Sequence, residues 1–70
     1  MTNTELLEKA IDKSGFKKKF IAQKIGLTPY GLAKKINNIT EFNASEIHRL
    51  CELLNINSLK EREKIFFAIK

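Results

Sequence analysis

The chain has 70 residues, a single cysteine and a formal net charge of +5. A chain this short makes one small domain that buries only about 60% of the surface its unfolded form exposes, and a lone cysteine excludes an internal disulfide. No apolar run approaches the roughly 20 residues of a membrane span, and the first residues lack the apolar core of a signal peptide, so a cytoplasmic chain is expected.

Five helical segments follow in chain order. Thr2-Asn3-Thr4-Glu5 reads as a capping box, with Leu6, Leu7, Ala10 and Ile11 on one apolar face and Gly15 as a left-handed stop. A second helix is expected over about 18–25. It turns Ile21, Ala22 and Ile25 inward and leaves Lys17, Lys18, Lys19 and Lys24 to solvent or a ligand. Gly26 ends it, Thr28 caps the third helix, Pro29 takes its first position, and Leu27 can staple onto Leu32. That helix runs to about Ile36 and stops in Asn37-Asn38.

Phe42 is expected to anchor the next loop in the core. Asn43-Ala44-Ser45-Glu46 starts a fourth helix with the buried face Ile47, Leu50, Cys51 and Leu54. Ser58-Leu59-Lys60-Glu61 opens a fifth, and its tail Ile65-Phe66-Phe67-Ala68-Ile69 is apolar almost all round. The fold class is therefore all-α, a single five-helix domain over residues 1–70 with a possible short extended tail. Such a tail either folds back to complete an undersized core or forms a subunit interface. Dimerisation is the favoured reading, through Ile65, Phe66, Phe67 and Ile69, by helix packing or strand pairing.

Charge is distributed unevenly along these segments. Seven lysines and no acid lie between Lys13 and Thr40, whereas five bases balance five acids from Glu41 onward. A one-signed cationic field on two short helices suits an anionic polymer, and DNA is the first candidate. The two helices joined by Gly26 have the spacing of a helix-turn-helix, about residues 18–36. In that geometry the second helix leads into the major groove with Thr28, Pro29 and Tyr30, and Lys34 follows one turn on.

The stretch Phe20-Ile21-Ala22-Gln23-Lys24-Ile25-Gly26-Leu27-Thr28 resembles the helix-turn-helix core of phage Cro- and CI-type repressors. Ala33-Lys34-Lys35-Ile36-Asn37-Asn38 and Glu41-Phe42-Asn43-Ala44-Ser45-Glu46-Ile47 resemble the small phage members of that superfamily, and the likeness covers about residues 4–57. It implies a homodimer on operator DNA, with Pro29, Tyr30 and Lys34 at base-reading positions beside Thr28. Phosphate contacts are expected from Lys17, Lys18, Lys19 and Lys35 and from the loop residues Asn37, Asn38 and Thr40. Four phosphates per subunit give a salt slope of about −7 for a dimer.

Three positions depart from the family pattern. Pro29 stands where a polar base reader is frequent, Gly31 lies inside the reading helix, and Lys17 replaces a hydroxyl cap. Pro29 and Gly31, with the apolar tail, suit a modulator that engages a partner CI-type repressor; an antitoxin, which uses the same fold, is a more remote alternative. Cys51 is expected in the core. His48 is read as lacking Cys, Asp or Glu at ligand spacing, so no metal is expected. No nucleophile–base–acid set or phosphate-binding glycine loop is present, so neither catalysis, a cofactor nor a small-molecule ligand is expected.

Overall fold

The computed structural model describes residues 1–68 and contains five helices: α1 (Thr4–Ser14), α2 (Lys18–Ile25), α3 (Pro29–Ile36), α4 (Ala44–Leu53) and α5 (Leu59–Phe66). No strand occurs among the described residues. Each helix begins at a residue with extended backbone, and in four of the five that residue's side chain accepts a main-chain hydrogen bond from the first turn. Lys17, which precedes α2, makes no such bond. Both α1 and α2 end on glycines in the left-handed region, Gly15 at φ 76° and Gly26 at φ 81°, where a side chain would be strained.

The apolar stripes of these helices meet in one core. Leu7, Ile21, Leu32, Ile36 and Leu50 are fully enclosed, and Leu6, Ala10, Leu27, Phe42 and Leu54 pack against its margin. Cys51 lies in this core, where burial pushes its thiol pKa up. The helices α2 and α3 pack on each other, α4 supports α2, and α1 lies against α3 and α5.

Two sequence expectations are corrected here. The α1 cap is Asn3, whose Oδ1 accepts from Leu6 N at 3.1 Å, one residue later than the Thr2 box. Thr2 is instead buried, and its main chain pairs with a side chain: Thr2 N donates to Asn38 Oδ1 at 2.8 Å, and Asn38 Nδ2 donates to Thr2 O at 2.7 Å. The tail also takes the fold-back course. Ile65 and Phe66 are buried within their own chain, and Phe66 packs edge-on against Phe42 at 5.7 Å. Asn3 N donates to Ile65 O at 2.6 Å and Ala68 N to Met1 O at 3.0 Å, so the first residues strap the end of α5. Ile65 and Phe66 are thus core residues and not subunit contacts; Phe67 remains exposed, and Ile69 lies outside the described residues.

Candidate nucleic-acid interface

The turn between α2 and α3 is built from hydrogen bonds that glycine makes possible. With Gly26 left-handed, its N–H donates to Gln23 O and the next amide, Leu27 N, reaches back to Ala22 O at 2.8 Å. This closes α2 and reverses the chain within three residues. Ala22, fully buried, keeps the side chain between the helices small. Thr28 Oγ1 then accepts from Gly31 N at 3.0 Å, and Pro29 occupies the first helical position, where a missing N–H leaves nothing unpaired.

The start of α3 consequently projects from the surface. Thr28, Pro29 and Tyr30 are exposed, Tyr30 at 76%. Lys34, four residues on, places its Nζ 5.5 Å from the Tyr30 ring centroid. Helical side chains lean toward the N-terminus, so this contact holds the ammonium toward the projecting end of the helix. At an exposed site a cation–π pair contributes about 0.5–1 kcal/mol, enough to bias Lys34 while leaving it free to move. Beyond α3, Asn37 Nδ2 donates to Ala33 O at 2.9 Å. The Ile39 and Thr40 amides both turn back to Lys34 O. Ile39 is 69% exposed beside Thr40 in this loop, an apolar position that sequence periodicity does not single out.

The expected phosphate contacts divide into three groups. Lys17 and Lys19 are exposed, as are Asn37 and Thr40. Lys18 is exposed but its Nζ lies 2.9 Å from a Glu8 carboxylate oxygen, an open pair of the kind worth at most about 1 kcal/mol. Lys35 and Asn38 are corrected. Lys35 points away from solvent into an ion pair with Glu46, its side chain only 17% exposed, because α4 brings that carboxylate under α3. Asn38, at φ 63°, commits its amide group to Thr2 and is a structural latch. Nothing in the chain near Lys35 announces this: its partner lies eleven residues away and meets it only once α3 and α4 pack.

Burial alone would raise the Glu46 pKa. The Lys35 ammonium and the Asn43 amide, which both donate to it, outweigh that burial and hold the carboxyl below its ordinary value. His48 requires a further correction, since Glu52 stands one turn along with an oxygen 3.2 Å from Nε2. Both side chains are open to solvent, and no group of three metal-ligating side chains occurs among the described residues. Nor is any described helix long and apolar enough to cross a membrane. No family model, curated protein or solved structure matches the chain.

Proposed function

We propose that this protein is a transcriptional regulator of Cro type that binds operator DNA as a homodimer through the α2–α3 pair. The observation that carries the reading is the projecting end of α3: an exposed Thr28-Pro29-Tyr30 with Lys34 drawn beside it, set in a segment with seven lysines and no acid. Duplex DNA needs a narrow element to enter the groove and cations to neutralise phosphate on either side. In this reading Tyr30 and Pro29 pack on thymine methyls and Lys34 reads guanine edges. Lys17, Lys18, Lys19, Asn37 and Thr40 position the domain on the backbone without reading sequence.

The Lys35–Glu46 pair removes one phosphate contact per subunit. Three phosphates per subunit give a slope of log affinity against log salt of about −5 for a dimer, shallower than the −7 expected from sequence. The experiment is fluorescence anisotropy on the DNA upstream of the chain's own gene and on a scrambled duplex, across a salt series. Sequence-selective binding with that slope supports the reading, and a slope near zero rules it out. Lys34→Ala is expected to flatten the preference between the duplexes, whereas Lys19→Ala weakens both alike. Glu8→Gln frees Lys18 and is expected to tighten both by about twofold, given the small worth of an open pair.

The fold-back of Ile65 and Phe66 favours a second reading, because it leaves little of the tail for self-association. In that reading the chain modulates a partner CI-type repressor. Analytical ultracentrifugation separates the two: a monomer at micromolar concentration, with equal weak binding to both duplexes, favours the modulator.

A further inference from the structure

The outward face of α2 takes no part in the core or in the projecting end of α3. Phe16, Phe20 and Lys24 recur at four-residue spacing on the side of the helix away from Ile21, Ala22 and Ile25. The two rings lie 5.0 Å apart, tilted by 37°, and Lys24 Nζ stands 5.5 Å from the Phe20 centroid. Contact between a residue just before a helix and one in its first turn fixes the angle at which the chain enters, which accounts for the rings touching. It does not account for two phenylalanines that are each 38% exposed.

Past Phe16 the surface drops into a cleft of about 420 Å³ walled by Ala10, Leu53 and Leu54. Lys13 lines it, Lys24 stands over the Phe20 ring, and the exposed Lys17 and Lys19 adjoin the two phenylalanines in sequence. None of these four lysines forms an ion pair among the described residues. Glu61 is the sole acid on the cleft wall among the described residues.

We propose that this strip docks an acidic segment of a partner protein. One large apolar side chain of the segment seats against Phe16 in the cleft, and carboxylates on either side of it meet the four lysines. The charge selects an anionic partner, and although Lys13, Ser14, Asn55 and Glu61 make the cleft wall as polar as it is apolar, its Leu53–Leu54 side gives a peptide's apolar side chain a seat from which phosphates gain nothing. Exposed aromatic rings beside a pocket are also the residues that anchor protein interfaces. The strip shares Lys17 and Lys19 with the backbone contacts of the DNA reading, but it uses neither the projecting end of α3 nor Lys34.

The test is selection from a randomised peptide display library on the immobilised full chain, followed by anisotropy with the enriched peptides. Peptides carrying two or more acids around one Phe, Leu, Ile or Trp are expected. Phe16→Ser/Phe20→Ser should weaken them by about tenfold or more, as loss of an anchor does, and Tyr30→Ala should leave them unchanged. Lys13→Gln/Lys24→Gln, which leaves both rings in place, should weaken them and flatten their salt dependence. No enrichment, or a consensus that survives both double variants, overturns the proposal. So does a loss of duplex binding in Phe16→Ser/Phe20→Ser equal to its loss of peptide, which assigns the strip to the nucleic-acid face. A wild-type chain that binds the peptides but no duplex leaves the proposal standing and fails the DNA reading alone.

Discussion

Glu46 serves two structures with one carboxylate. Its Oε1 accepts from Asn43 N at 3.0 Å to complete the capping box of α4, and the same oxygen takes the Lys35 ammonium from α3. Glu46→Ala removes both and leaves Lys35 enclosed without a partner, so a loss of about 2–3 kcal/mol is expected in urea unfolding. Lys35→Met/Glu46→Gln keeps the box, since glutamine also caps, and removes the charges; it should fall within about 1 kcal/mol of the wild type. The Glu46 carboxylate also sets the response to acid. With its folded pKa depressed, Glu46 contributes stability that is fully present above its ordinary value of 4.5. That contribution is lost as pH falls through the lower folded value. The acid limb of a stability–pH profile should therefore be steeper in the wild type than in Lys35→Met/Glu46→Gln, and equal limbs would remove Glu46 from the account.

At the scale of the element, α3 begins with a conflict between propensity and cap. Alanine at position 31 would add about 1 kcal/mol of helix propensity, but its Cβ would stand 3.1 Å from Thr28 Oγ1. That oxygen is the cap, accepting from Gly31 N. Gly31→Ala is therefore expected to lie within about 0.5 kcal/mol of the wild type, while in a Thr28→Ala background the same change gains the full propensity. A double-mutant cycle by thermal melting measures the coupling, and simple additivity would refute it. Glycine here fits a cap and is not only a departure from a pattern. The α2 and α3 boundaries were legible because Gly26, Thr28 and Pro29 each act on their own neighbours. The α1 boundary slipped by one residue because Thr2 and Asn3 are both capping types, and the choice between them is made by Asn38, 36 residues from Thr2. Lys35 reads as exposed for the same reason, whereas Glu52 stands one helical turn from His48 in the sequence itself. Apolarity showed that the tail would be buried, but not against what.

Across the whole molecule, the cationic segment and the N-terminal strap meet at the end of α3. The strap is Met1 to Asn3, held on one side by Asn38 and on the other by Ile65 and Ala68. Asn38→Ala leaves the buried main-chain groups of Thr2 without partners, so a loss of about 2–3 kcal/mol is expected, and the Asn3 amide bonded to Ile65 should exchange faster by the matching factor. Retained protection of that amide would show that the strap does not depend on the latch. The latch also ties order of synthesis to completion of the fold. Translation delivers the amino end first, at about 5–20 residues/s. Met1 to Asn3 therefore emerge long before Ile65, the residue they must grip. On the ribosome α2 and α3, eight residues each, are too short to persist as isolated helices, and the strap closes only when Ile65 is out. A chain stalled short of Ile65 would carry the lysines and the projecting helix without the clasp that holds them in place.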